Sequence, residues 1–138
     1  MAIVYLGIGS NLGNRRKNIE KAYTLLEKKN IYIIKKSSLI ETNPVGGPPQ
    51  GLFFNGVIKV ETDLSPHNFL KTLQSIEVEL GRQKTVRNGP RLIDLDILFY
   101  DDIKINTPKL TIPHPRIFER EFVLIPLKDI GWQGYENY

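Results

Sequence analysis

The sequence predicts an α+β fold, a ferredoxin-like split βαβ sandwich whose antiparallel sheet has helices packed on it. Three observations lead there. The segments alternate as strand, helix, strand, strand, helix, strand, which is the split βαβ order. Two stretches, Ile19-Ala22-Tyr23-Leu26 and Phe69-Leu73-Ile76-Leu80, repeat apolar residues at helical spacing. The first and last core strands read as continuously apolar, and we expect that topology to place both centrally, with helices on one face.

In chain order, residues 3–8 (Ile-Val-Tyr-Leu-Gly-Ile) form a first strand. The Gly- and Asn-rich turn Gly9-Ser10-Asn11-Leu12-Gly13-Asn14 follows, with Asn14 a candidate N-cap for the first helix. Backbone N–H groups in such a turn can bind phosphate, but the Gly-Lys-Ser/Thr ending of a P-loop is missing, and a purely structural turn is the alternative. Residues 31–42 read as the second strand. The loop Asn43-Pro44-Val45-Gly46-Gly47-Pro48-Pro49-Gln50-Gly51 is irregular and exposed, a place where binding residues gather. Phe53, Phe54 and Asn55 lead into an alternating strand over 56–62. Ser65-Pro66 starts the second helix, with serine at the N-cap and proline at the first helical position, and Gly81 lies near its end.

Residues 82–91 carry four cations, Arg82, Lys84, Arg87 and Arg91, and no acid. They feed into Leu92–Tyr100, an apolar run interrupted only by Asp94 and Asp96. Residues two apart on a strand share a face, with Cα atoms roughly 6–7 Å apart. Two neighbouring carboxylates on an apolar strand repel each other unless a cation neutralises them. Oxygen-only ligands select a hard ion, so Mg²⁺ is expected. On a regular strand Arg91 would point away from the pair. A basic loop beside metal-binding carboxylates suits a polyphosphate; direct pairing of the arginines with the aspartates is the alternative. Asp101-Asp102 reads as turn chemistry, and 103–105 as a short return strand. His114 sits between Pro113 and Pro115 and is a candidate phosphate donor, while His67, in a first helical turn, reads as surface. A last helical segment is expected over 118–127.

Composition narrows the class. At 138 residues, 41% hydrophobic and 25% charged, the chain has the size and balance of one soluble globular domain. It has no cysteine, which excludes disulfides and thiolate metal sites and suits a cytoplasmic location. No apolar run reaches the length of a membrane span, and the stretch 1–10 lacks the basic start and the length expected of a signal peptide. A net charge of +4 favours anionic partners. Two rivals are weak. Polymerase-type nucleotidyltransferases place Gly-Ser close to Asp-x-Asp, whereas Ser10 and Asp94 are far apart here. RNA-binding modules of this shape carry aromatics on the central strands, where this sequence is expected to carry carboxylates.

Gly89-Pro90-Arg91-Leu92-Ile93-Asp94-Leu95-Asp96-Ile97-Leu98 resembles the signature of the 6-hydroxymethyl-7,8-dihydropterin pyrophosphokinases of folate biosynthesis. The likeness extends to Gly9-Ser10-Asn11-Leu12, Thr42-x-Pro44, Asn55, Gly81-Arg82 and Leu110-Thr111-Ile112-Pro113-His114. It implies a Mg²⁺-dependent transfer of the β,γ-diphosphate of ATP to the pterin's hydroxymethyl oxygen, releasing AMP. It implies Asp94 and Asp96 as ligands of two Mg²⁺ ions, and Arg82, Arg91 and Asp96 as catalytic, with the basic loop closing as a lid. The resemblance further implies ATP contacts from Gln74, Arg82, Arg91, Ile97, Lys109, Thr111, His114 and Arg120. Pterin contacts are implied for Thr42, Pro44, Val45, Phe53, Asn55 and Phe122, the ring stacking between Phe53 and Phe122. The expected partners are ATP and the pterin, with no nucleic acid and no membrane, and the expected state is a monomer. Three departures stand out. Asn88 replaces an aromatic common in the lid, Phe53 replaces a tyrosine, and the single domain over 1–138 is C-terminally short relative to typical members. We expect the short end to cost peripheral packing and not activity.

Overall fold

The computed structural model describes residues 1–81, 89–117 and 120–132. In chain order the elements are β1 (Ala2–Ser10), α1 (Arg15–Lys28), β2 (Tyr32–Lys36), β3 (Ile40–Thr42), β4 (Phe53–Thr62), α2 (Pro66–Glu79), β5 (Asp94–Tyr100), β6 (Ile105–Asn106), β7 (Thr111–Ile112) and α3 (Glu121–Asp129). The main sheet runs β2-β4-β1-β5, with β3 also paired to β4, and every pairing is antiparallel. This is the expected split βαβ sandwich. No helix among the described residues is long and apolar enough to cross a membrane.

Both helix starts follow their caps. Asn14 Oδ1 accepts the Lys17 N–H at 3.1 Å, and Ser65 Oγ accepts the Asn68 N–H at 3.4 Å with Pro66 behind it. The stretch 31–42 differs from its reading as a single strand. It breaks at buried Ser37, whose hydroxyl accepts the Val57 N–H at 2.9 Å and donates to the Ser38 carbonyl at 2.9 Å. A side chain that serves backbone groups in this way offers an alternative to the regular ladder. Gly56 lets the chain cross there, since a Cβ on it would lie 2.9 Å from the Leu39 side chain.

The expectation that the strand of the two aspartates lies mid-sheet is corrected. Among the described residues β5 pairs only with β1, so it is an edge, and β1 and β4 are the central strands. Its apolar run has another cause, cover on both faces and along the outer edge. On one face Leu95 and Ile97 join Val4, Leu6, Ile8, Ile58 and Val60 under Ile19 and Leu26 of α1 and Phe69, Leu73 and Ile76 of α2. Full burial of such side chains contributes roughly 1.5–3 kcal/mol each. On the other face Leu98 and Phe99 pack with Val57, Ile117 and the α3 side chains Val123 and Leu127. Helices therefore cover both faces, not one. Along the edge, buried Glu77 of α2 accepts the Leu95 N–H at 3.0 Å, and the His114 N–H donates to the Leu98 carbonyl at 3.1 Å.

The register of β1 with β5 slips by one residue. Leu6 faces Ile97 and Tyr5 faces Phe99, so Leu98 is an extra residue, a bulge. Beyond it the alternation is inverted. Phe99 meets Tyr5 edge-on and stacks on Trp132 on the α3 side, whereas Tyr100 meets Phe69 of α2 and donates its hydroxyl to the Leu64 carbonyl. Asp101 makes the expected turn at φ 48°, its carboxylate accepting the Ile3 N–H at 2.7 Å. The return strand is displaced to β6, which pairs with β7. The last helix begins at Glu121 and ends at Asp129, later at both ends than its expected span of 118–127.

Candidate active site

Alternation along β1, β4 and β5 sends one set of residues to the helices and the other to a pocket beside α3. On the pocket side β5 presents Asp94 and Asp96, β1 presents Gly7 and Gly9, and β4 presents Phe53 and Asn55. The registers place Gly9 between Asp94 and Asn55, and Gly7 between Asp96 and Val57. Over Gly7 and Gly9 the middle strand therefore carries no side chain on this face, and the carboxylates and the carboxamide look at each other across a bare backbone floor. A Cβ on Gly9 would fall 2.5 Å from Asn55 Oδ1, and one on Gly7 would fall 3.5 Å from the Leu98 side chain. The glycines make the space. Asn55 is set in turn by Thr42 of β3, whose hydroxyl accepts from its Nδ2.

The rim comes from three loops. Asn43 and Val45 approach from the Pro/Gly loop, Gly89 and Arg91 from the segment ahead of β5, and His114, Arg120 and Phe122 from the last part of the chain. Arg91 lines the pocket; the reading that it points away applies only to a regular strand. Regular β5 begins only at Asp94, so the two-residue alternation does not reach back to it. The Arg91 backbone is held instead by Asn11, which donates its N–H to the Arg91 carbonyl at 3.0 Å and accepts the Arg91 N–H on Oδ1 at 2.8 Å. Gly9 and Ser10 prove to be the end of β1, with Ser10 fully buried, so the turn itself starts only after them.

His114 is pinned through its backbone to the bulge carbonyl of Leu98, and its Nδ1 accepts the Arg116 N–H at 3.3 Å. In neutral His114 the proton therefore sits on Nε2. Burial lowers its pKa below 6.5, the Arg120 and Arg116 charges lower it further, and Asp94 partly opposes them. His114 is thus a neutral donor near pH 7, and positive charge on this rim comes from Arg91 and Arg120. The Arg120 guanidinium lies 5.5 Å from the Phe122 ring centroid.

Of the residues expected from sequence, Thr42, Val45, Phe53, Asn55, Arg91, Asp94, Asp96, His114, Arg120 and Phe122 converge on this one pocket. Phe53 and Phe122 line it from β4 and α3. Gln74 and the hairpin residues Lys109 and Thr111 are exposed and, like Pro44, are not among the lining residues. The Ile97 side chain is in the core under the helices. Arg82, the rest of the basic loop to Asn88, and Phe118 lie outside the described residues. His67 is exposed, as expected. Sequence reasoning missed Gly7 and Gly9 as a floor, Asn11 as a brace, and Glu77 as the group holding the backbone between the two aspartates.

No group of three or more His, Cys, Asp or Glu side chains capable of holding a metal occurs among the described residues. The donor set for a cation is therefore two carboxylates on one strand face. That fits Mg²⁺, which is bound through one or two protein carboxylates while its other positions go to water and substrate phosphate.

The family model described as 7,8-dihydro-6-hydroxymethylpterin-pyrophosphokinase matches residues 5–131. A 2-amino-4-hydroxy-6-hydroxymethyldihydropteridine pyrophosphokinase of Bacillus subtilis is 44% identical over 132 residues, covering 95% of this chain and 79% of that protein. A folic acid synthesis protein of Dictyostelium discoideum is 48% identical over 129 residues, covering 94% of this chain but only 20% of that protein. In the crystal structure of Plasmodium falciparum HPPK-DHPS, 41% of that chain overlays all of this one with a TM-score of 0.76 at 21% identity, a likeness of fold. The chain thus spans about a fifth of the Dictyostelium protein and most of the Bacillus one.

Proposed function

The chain belongs to the 7,8-dihydro-6-hydroxymethylpterin-pyrophosphokinase family, and from that membership we propose that it transfers the β,γ-diphosphate of ATP to the hydroxymethyl oxygen of 6-hydroxymethyl-7,8-dihydropterin. One observation carries the reading. Asp94 and Asp96 face Asn55 across the side-chain-free floor of Gly7 and Gly9, which leaves room for a flat ring at one end and phosphates at the other.

In this reading Asn55, held by Thr42, reads the pterin's amide edge, because a carboxamide both donates and accepts. Phe53 and Phe122 bracket the ring, and Val45 closes its open side. Arg91, His114 and Arg120 hold the phosphates, joined by Arg82 when the basic loop closes. Gln74, Lys109 and Thr111 would meet parts of ATP that extend beyond the pocket, and Ile97, whose side chain is in the core, would meet it only through its backbone. Asp94 and Asp96 would hold two Mg²⁺ ions. Bound there, Mg²⁺ would neutralise phosphate charge that the carboxylates alone would repel. The hydroxymethyl oxygen forms its bond to the β-phosphorus as the bond from that phosphorus to the α,β-bridging oxygen breaks, and AMP leaves. Positioning and fixed charge supply most of the acceleration. Freedom from cysteine suits work in the reducing cytoplasm.

Product analysis tests the reading directly. Incubated with ATP, Mg²⁺ and the hydroxymethyl dihydropterin, the protein should release AMP and diphosphorylated pterin. ADP as the product, or no product at all, overturns it.

A further inference from the structure

Asn11 lies just past β1, 7% exposed, and does not line the pocket. Its polar groups are nonetheless divided between the two rims of that pocket. Toward one rim it makes the reciprocal pair with the Arg91 backbone, at 3.0 and 2.8 Å. Toward the other, its Nδ2 donates to Gln50 Oε1 at 2.8 Å and to the Gly51 carbonyl at 3.0 Å. Gln50 passes the tie on, donating from Nε2 to the Pro48 carbonyl at 3.2 Å, within the same loop that sends Asn43 and Val45 to the pocket. Gly51 approaches so closely that a Cβ on it would lie 3.4 Å from the Asn11 carbonyl oxygen. Only a carboxamide fits this position. One acceptor and two donors are needed, and an aspartate would set a carboxylate oxygen against the Gly51 carbonyl.

We propose that Asn11 is a positioning residue that couples the phosphate rim at Arg91 to the pterin rim at 43–51, so that a ligand ordering one rim tightens binding at the other. The inference rests on the functional reading above. Through a single buried brace, ordering Arg91 around phosphate also orders the Gln50–Gly51 end of the facing loop. The second ligand then meets a rim that is already in place.

The test is a binding cycle with full-length protein, run by calorimetry with Mg²⁺ and the α,β-methylene analogue of ATP, which resists transfer, and with 6-hydroxymethylpterin. In wild type, saturating nucleotide analogue should tighten pterin binding by about tenfold or more. In Asn11→Asp the ratio should fall close to one while each ligand alone still binds. Gln50→Ala, which leaves the Arg91 arm and the Gly51 bond intact, should give an intermediate ratio and keeps the test available if changes at Asn11 impair folding. A merely structural role would lower the melting temperature and both affinities without changing their ratio, and that result overturns the proposal. So does wild-type protein that binds the two ligands independently, while leaving the functional reading standing. Wild type that binds neither ligand overturns both.

Discussion

The two faces of the sheet are built from the same strands and differ in almost everything else. On β1, Val4, Leu6 and Ile8 point to the helices and are at most 2% exposed, whereas Gly7 and Gly9 between and beyond them leave open floor. On β5, Leu95 and Ile97 enter the core while Asp94 and Asp96 face the pocket. A strand's alternation lets one backbone serve both purposes without compromise between them. The hydrogen-bonded ladders set the spacing of the three strands and the closely packed face anchors them, and the other face uses that spacing to hold carboxylates and carboxamide apart. Stability and chemistry here are neighbours in sequence and opposites in space.

The separation can be attacked from either side. The largest effect expected is on the pocket face. Asp96→Ala should lower kcat by ~10³-fold, the scale of losing a principal electrostatic contributor, with little change in melting temperature. Measured as AMP release beside a thermal melt, an active variant would remove Asp96 from the site. Next is the helix face, where Ile8→Ala should cost ~2–5 kcal/mol of stability in denaturant titration and leave kcat per folded molecule nearly unchanged. A collapse of kcat with stability intact would mean that the faces are not separable. Gly9→Ala addresses the floor between them. Its new methyl must displace the Asn55 carboxamide, so pterin KM should rise by about tenfold, with a smaller effect on kcat. An unchanged KM would show that the floor is not where the ring lies. The smallest effect is on pH dependence. The pKa of His114 in the ligand-free fold is below its ordinary 6.5, so the unfolded chain takes up that proton first. Stability should therefore be unaffected by this group above about pH 6.5 and decline as pH falls through the lower folded value. His114→Asn should flatten that part of the profile, read from melting temperatures across the acid range.

The features visible in sequence were those whose cause is local. Asn14 and Ser65 cap their helices because a short polar side chain reaches its own next turn. Asp94 and Asp96 stand out because a carboxylate pair inside an apolar run has no local explanation. What escaped depends on residues distant in the chain. Glu77 resembles any surface acid of a helix until α2 is laid along β5 and its carboxylate meets the Leu95 N–H. Asn11 reads as a turn residue until Arg91 and Gly51 arrive on either side of it. Gly7 and Gly9 could have been found, since glycine at alternate positions of an apolar strand marks one empty face. The edge position of β5 was misjudged because an apolar run reports cover and not rank in a sheet, and α3 supplies cover from a direction that the split βαβ order does not specify.

The extra residue at Leu98 has a consequence for how this chain tolerates change. It acts as a phase shift in the strand's two-letter code, ahead of which polar and apolar residues alternate and beyond which both faces are apolar. Deleting Leu98 would restore uniform alternation and keep everything downstream on its present face, with Phe99 still opposite Tyr5 and Tyr100 still opposite Val4. Two point substitutions could leave Asp94 and Asp96 chemically altered and the fold intact. A single deletion at the bulge would leave both aspartates in the sequence and remove the carbonyl on which the His114 N–H is held.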